Sequence, residues 1–365
     1  MHSLSRFATV VASLLVGMAT ANAQVPAGYP ADYAKILDAA KKEGKVVVYS
    51  TTDAKLVTPL VKDFEAAFPG VKVEYTDMNS TEIYNRFISE NAANAASADA
   101  VWSSSMDLQL KLAEDGLALT YKSPEIGALP DWAHWKDMVY ATTFEPIAIV
   151  YNKRLVAADE VPKTHADLLK LLTSKGDKFQ NKVTAYDPEK SGVGFMLVNQ
   201  DAKYYPQFWD LVKAFGARSL KVQSSTGTML ERVSSGENLI GYNVLGSYAL
   251  TRAKKDPSLG IAFTSDYNLV LSRLAFVAKN AKNPNAGKLW VDYLLSKRGQ
   301  TITAEQAELY SIRTDITGKD SGVAFAKQLG GAVKPIPVST DLLAGLDQTK
   351  RLEFLKRWQT SLGRN

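Results

Sequence analysis

"KVVVYSTTDAKLVTPLVKDFEAAFPG" (residues 45–70) contains the step on which the fold turns. Lys45-Val46-Val47-Val48-Tyr49 is short, apolar and β-branched, the composition of a buried strand. Leu56, Leu60, Val61, Phe64 and Phe68 then recur at helical spacing. Between strand and helix stand Ser50-Thr51-Thr52, followed by Asp53. The handover occurs twice more. "VKVEYTDM" (71–78) passes through Asn79-Ser80-Thr81 into "EIYNRFISENAANA". "ADAVW" (98–102) passes through Ser103-Ser104-Ser105 into "MDLQLKLAEDG", which Gly116 closes. Strands alternating with helices predict a parallel sheet with right-handed crossovers.

Small hydroxyl residues at a helix start can simply cap it, because they accept hydrogen bonds from free N–H groups. One cap per helix is enough for that. Three small polar residues at three successive strand ends point to a shared site, since ligands of open α/β sheets sit beyond the carboxyl ends of the strands. Helix N-termini there offer unpaired donors and partial positive charge, which suit an anion. Ser50, Thr51, Asn79, Ser80, Ser103, Ser104 and Ser105 are therefore candidate ligand contacts.

Upstream, "YAKILDAAKKEG" (33–44) reads as an amphipathic helix closed by Gly44. Downstream, "MVYATTFEPIAIVYNKRL" (138–155) is extended and too long for one strand, and "IAFTSDYNLVLSRLAFVAKNA" (261–281) is a second such run. They serve as candidate crossovers between two lobes. The expected division is 24–143 plus 266–300 for the first lobe, 144–265 for the second, and a C-terminal helical segment over 301–365. Within the second lobe the strand 182–187 leads to Ser191-Gly192 at a helix start. The strand 239–243 ends in Asn243, with Gly246-Ser247-Tyr248 opening the next helix. These six join the candidate site, although Gly and Ser also serve as plain turn residues. Glu145 is an acid in an apolar run beside Pro146, suited to a ligand hydroxyl or cation, or to solvent. Arg273 and Arg313 are candidate counter-charges for an anion or members of salt bridges, and Tyr204-Tyr205 reads as helix packing.

Arg6, the apolar run "FATVVASLLVGMA" and Ala21-Asn22-Ala23 make a secretory signal peptide cleaved after Ala23. The run is too short to span a bilayer. A free periplasmic protein is the expectation. The chain has 365 residues, 46% of them hydrophobic, and no cysteine, so core burial must stabilise it without disulfides. Of His2, His134 and His165 the first leaves with the signal, which argues against a zinc site or a histidine-based triad. Removing residues 1–23 takes away Arg6 and no acid, so the net charge of +5 becomes +4. Its basic residues are spread along the chain, leaving no nucleic-acid footprint.

Residues 45–316 resemble the periplasmic solute-binding proteins of ABC importers, of the type II, extracellular solute-binding class. "VVVYSTTD…LVKDFEAAFPGVKVEY", "IVYNK", "NPNAGKLWVDYLLSKRGQ" and "YSIRTDI" carry the likeness to its ferric-iron-binding branch and that branch's phosphorylated-solute relatives. The resemblance implies an α/β, two-lobed binding-protein fold, each lobe a mostly parallel sheet flanked by helices, closing as a monomer around one solute. It also implies an inner-membrane ABC permease as partner, with neither catalysis nor a cofactor. Ferric-binding members carry adjacent tyrosines after the strand corresponding to "NLIGYN", whereas Gly246-Ser247-Tyr248 stands here. That departure brings the chain nearer to the hexose-phosphate, phosphoglycerate and phosphonate binders. The expected solute is a small organic anion, phosphorylated or a phosphonate. A ferric-iron receptor is the first alternative. An exported hydrolase using Glu145 or Asp187 as general acid–base is the second, and lacks an evident second carboxylate or metal cluster.

Overall fold

The computed structural model describes residues 25–307, 309–319 and 321–364. The expected signal segment, 1–23, lies outside them. The chain begins α1 (Tyr33–Glu43), β1 (Lys45–Ser50), α2 (Ala54–Ala67), β2 (Lys72–Asp77), α3 (Ser80–Ala92), β3 (Ala100–Ser103), α4 (Met106–Glu114). It continues β4 (His134–Trp135), β5 (Val139–Ala141), β6 (Glu145–Asn152), α5 (His165–Ser174), α6 (Gly176–Phe179), β7 (Val183–Tyr186), α7 (Gly192–Tyr204), α8 (Phe208–Ala217). Then come β8 (Lys221–Gln223), α9 (Thr226–Ser235), β9 (Ile240–Leu245), α10 (Gly246–Lys255), β10 (Leu259–Ala262), β11 (Asn268–Leu271), β12 (Leu274–Val277). The last elements are α11 (Pro284–Leu295), α12 (Lys297–Glu305), α13 (Gly322–Leu329), β13 (Val333–Pro335) and α14 (Gln348–Ser361).

All three predicted strand–helix units are present. Val46, Val48 and Tyr49 of β1 are buried, and Leu60 and Phe64 of α2 pack in the same core. Phe64 meets Trp290 of α11 edge-on at 5.1 Å. Gly44 ends α1 in the left-handed region, at φ 77°, and returns its N–H to the Ala40 carbonyl, a conformation that a side chain resists.

The strands form two sheets, ordered β2-β1-β3-β12-β5-β4 and β13-β11-β6-β9-β7-β8, with β10 also paired to β6. A parallel trio heads each: β2, β1 and β3 in the first lobe, and β9, β7 and β8 in the second. Beyond those trios the sheets are mixed, which corrects the expectation of mostly parallel ones. β6 pairs antiparallel with β9 and β11, and β12 pairs antiparallel with β3 and β5. The reason is directional. A strand that enters a lobe from the junction must run away from it, against the neighbours whose carboxyl ends face it.

The run 138–155 divides into β5 in the first sheet and β6 in the second, so residues 142–144 cross between them. The return crossing is 272–273, because β11 belongs to the second sheet and β12 to the first. Asn268–Leu271 therefore pairs in the second sheet although the expected boundary put 266–300 in the first lobe. An apolar extended run carries no mark of where it changes partner. The two crossings are bonded together: Thr142 N donates to the Arg273 carbonyl (2.9 Å) and Arg273 N to Thr143 Oγ1 (2.9 Å). The C-terminal region is not wholly helical, since β13 adds a strand parallel to β11. Residues 340–346 pack on α4 and α7, and α14 packs on α8.

Gln300 of α12 is buried and holds the first crossing in place. Its Nε2 donates to the carbonyls of Thr142 and Leu294, both at 2.7 Å, while Oε1 accepts from Ser311 Oγ and Ile312 N, both at 2.9 Å. Each buried group stripped of its partner costs about 1–3 kcal/mol. Gln300→Ala is expected to lower stability to urea by roughly 3 kcal/mol or more; a loss below about 1 kcal/mol contradicts this role.

Candidate ligand-binding cleft

Arg273 lies where the return crossing passes between the lobes, and it is only 1% exposed. Its Nη2 donates to Glu145 Oε2 at 3.1 Å, Nε stands 2.8 Å from Glu145 Oε1, and Nη1 donates to Thr51 Oγ1 at 3.1 Å. Glu145 is fully buried and also accepts from Thr143 Oγ1 (2.9 Å) and Ser247 Oγ (2.8 Å). The Tyr248 ring faces the guanidinium at 5.6 Å. Burial alone pulls the Arg273 pKa down, but the Glu145 carboxylate outweighs it and holds the group above its ordinary value. A permanent cation therefore sits at the floor of a cleft of about 500 Å³.

The walls are the carboxyl ends of the strands. Thr51 and Asp53 follow β1, Asp77 to Ser80 close β2, and Ser104 follows β3. Opposite them stand Tyr186 at the end of β7, Ser191 and Val193 at the start of α7, residues 224–228 after β8, and Leu245 and Tyr248 around the β9–α10 junction. Six helices, α2, α3, α4, α7, α9 and α10, thus begin at the cleft. The lobes touch across it. Val193 N donates to Ser80 Oγ (3.3 Å), Thr81 Oγ1 to the Lys190 carbonyl (3.2 Å) and Asp53 N to Tyr248 Oη (3.4 Å). Gly192 permits this approach, because a Cβ there would stand 2.7 Å from Leu108 Cδ1 and 2.9 Å from Ser105 Oγ.

Of the candidate residues, Thr51, Asn79, Ser80, Ser104, Ser191 and Tyr248 line the cleft. Two of them also cap helices: Asn79 and Glu82 form a reciprocal capping box on α3, and Ser191 Oγ accepts from Gly194 N. Other candidates lie beneath the wall. Ser50 Oγ accepts from Thr52 N, Ser103 Oγ from Ser105 N, and Ser105 Oγ donates to Asp107. These hydroxyls hold the turns rather than face the opening. Glu145 lies behind Arg273 and Ser247 bonds to Glu145, so both support the floor without lining it. Gly246 packs so tightly that a Cβ would fall 2.6 Å from the Pro146 carbonyl oxygen. Asn243 takes φ +57° opposite a register shift in β6, and its amide turns to Asp201 at 2.6 Å instead of to the cleft. Arg313 is removed to ion pairs with Glu125 and Asp315.

Sequence reasoning passed over Ser224-Ser225-Thr226-Gly227-Thr228, which forms much of the second wall. The signal was the one used elsewhere: a hydroxyl run between a strand end and a helix start. β8 has only three residues and was too short to announce itself as a strand. Ser225 caps α9 through Thr228 N at 3.2 Å, and Thr226 Oγ1 shares a 2.5 Å hydrogen bond with Tyr186 Oη. Burial pushes the Tyr186 phenol up, and likewise that of Tyr248.

Two mixed sheets, paired crossings and a cleft at the strands' carboxyl ends define a two-lobed binding protein of the type II periplasmic fold. The model of the family described as bacterial extracellular solute-binding protein matches residues 59–326, and this chain belongs to that family. The substrate-binding protein of an ABC transporter from Agrobacterium tumefaciens is 37% identical, with a TM-score of 0.84 over 87% of this chain and 94% of that one. The periplasmic binding protein AfuA from Actinobacillus pleuropneumoniae, solved with exogenous fructose-6-phosphate bound, is 20% identical, with a TM-score of 0.73 over 88% and 99%. Iron-bound HitA from Pseudomonas aeruginosa is 18% identical, with a TM-score of 0.66 over 87% and 99%. The protein is the substrate-binding component of an ABC transporter and is not an enzyme. Among the described residues no helix is long and apolar enough to cross a membrane.

Removing one member of a buried ion pair leaves the other charge uncompensated and costs about 3–5 kcal/mol. Glu145→Ala is expected to lose that much stability to urea, whereas Glu145→Leu combined with Arg273→Met loses clearly less; equal losses would refute the pairing. Asp107, buried in the first turn of α4 where it accepts from Ser105 Oγ, is pushed up to about 6 by desolvation, against its ordinary 3.8. Asp292, held by Tyr33, Tyr121 and Ser123, is pushed up to about 6 for the same reason. The folded chain keeps these protons where the unfolded chain has released them, so both groups make stability fall as pH rises from 3.8 towards 6. Asp107→Asn should flatten part of that slope in urea titrations across the window.

Proposed function

We propose that the transported solute is a small organic anion bearing a phosphate or phosphonate group. It is captured by closure of the lobes in the periplasm and handed to an inner-membrane ABC permease. The protein acts as a monomer, exported with residues 1–23 removed after Ala23. The observation that carries this reading is the convergence of six helix N-termini and the buried Arg273 guanidinium on one cleft. One helix end contributes about 0.3–1 kcal/mol to an anion, and up to ~2 in partly buried geometry. Micromolar affinity needs about 8 kcal/mol, so several ends and a cation must act together. Thr51, Ser104, Ser191, Ser225 and Thr228 supply further hydroxyls at the same cleft.

A phosphorylated ligand is stated for AfuA, and iron for HitA, both of which share the fold. Iron is less well supported here. Its phenolate ligands must be ionised, whereas burial raises both cleft phenols and Tyr186 is already engaged with Thr226.

A thermal-shift panel of phosphorylated sugars, phosphoglycerates, phosphonates, dicarboxylates and ferric salts tests the assignment. A true solute at a hundredfold excess over its Kd stabilises the native state by about 2.7 kcal/mol. Phosphate or phosphonate compounds should raise the melting temperature, and Ser104→Leu, which intrudes on the first wall, should abolish the rise. A response to ferric salts or dicarboxylates alone would overturn the reading.

A further inference from the structure

Gly192 is the first residue of α7, and its backbone is helical rather than left-handed, so nothing local calls for glycine there. Alanine would suit a helix better. The reason for glycine lies on the other lobe. Besides Leu108 Cδ1 at 2.7 Å and Ser105 Oγ at 2.9 Å, an added Cβ would stand 3.0 Å from Ser80 Oγ, so the starts of α3 and α4 both close on this one position. The two hydroxyls are pinned where they are: Ser105 Oγ donates to Asp107 at 2.7 Å, and Ser80 Oγ accepts from Val193 N at 3.3 Å. The other wall-to-wall hydrogen bonds reach across through the hydroxyls of Thr81 and Tyr248. At Gly192 the backbone itself is the surface in contact.

This contact also lies close to the pivot. Met106 begins α4, and its Sδ accepts from Ser272 N of the return crossing at 3.4 Å. An obstacle near a pivot holds the mouth open by more than its own width. Resting on the capture-by-closure reading above, we propose that Gly192 is the stop of the two lobes, the residue whose bare Cα comes to rest on α3 and α4 and so fixes the closed cleft at about 500 Å³. It governs selectivity without touching the solute, because the spacing of the walls decides what size of solute both can grip at once. A side chain at this position halts closure early, since packed contacts leave no spare room for a methyl group.

The chain has no cysteine, so Thr81→Cys and Lys190→Cys together introduce a single pair of thiols. These positions meet across the cleft, with Thr81 Oγ1 3.2 Å from the Lys190 carbonyl oxygen. Dibromobimane becomes fluorescent when it bridges two thiols, so its bridging rate reports how often the purified protein visits the closed posture, whatever its solute. In this background Gly192→Ala should slow bridging at least about fivefold, the low end of the cost of overpacking a close contact, and Gly192→Val should slow it further. Alanine is the better helix residue, so the second lobe itself is not at risk. Leu108→Ala, on the opposite lobe, should restore part of the rate lost to Gly192→Ala, a rescue that damage confined to the second lobe would not allow. Unchanged bridging in both Gly192 variants, or no recovery with Leu108→Ala, overturns the stop and leaves capture by closure standing. If the thiols are never bridged even with Gly192 in place, capture by closure itself falls.

Discussion

Glu145 and Arg273 leave different crossings and meet in the dry interior between the lobes, each supplying the charge that the other needs there. Burying either group without the other would leave an uncompensated charge, at a cost of several kcal/mol. Their pairing joins the first crossing, the return crossing and, through Ser247 and Thr51, both lobes. It also leaves the guanidinium facing the cleft without freedom to swing away. A cation fixed in this way would lose little conformational entropy on meeting the anion proposed above, which is the physical meaning of preorganisation.

The strand directions follow from the same junction. Because the chain passes between lobes without an intervening helix, β6 and β12 must start at the junction, and β5 and β11 must end there. The parallel trios then present their carboxyl ends, and the helices that follow them, to the same cleft. The mixed sheets and the ring of helix N-termini are two results of one topological constraint.

The first lobe was more legible in the sequence than the second. Repeated runs of small polar residues at 50–52, 79–81 and 103–105 identify the wall, because strand end and helix start both have strong local signals. Which hydroxyl within each run faces the opening is a matter of turn geometry, and Ser50, Ser103 and Ser105 turn inward to bond their own loops. In the second lobe the strands give weaker signals, so the 224–228 run does not stand out as a strand-to-helix junction, and Asn243, with its left-handed backbone, turns its amide to Asp201 and away from the cleft. The partner of Glu145 lies 128 residues away along the chain, and no periodicity encodes such a contact. An isolated acid in an apolar strand nevertheless marked that something unusual must meet it.

The C-terminal region gives the molecule a third mechanical link. Residues 340–346 rest on α4 of one lobe and α7 of the other, and α14 continues onto α8. Gly345 lies close enough to Asn199 that a methyl group there would stand 3.1 Å from its amide. For the lobe closure proposed above, a brace touching both lobes as well as a double pivot would leave fewer open postures than the two crossings alone. Fewer postures mean less rotational disorder to extinguish at capture, so more of the attraction between solute and protein survives as net affinity.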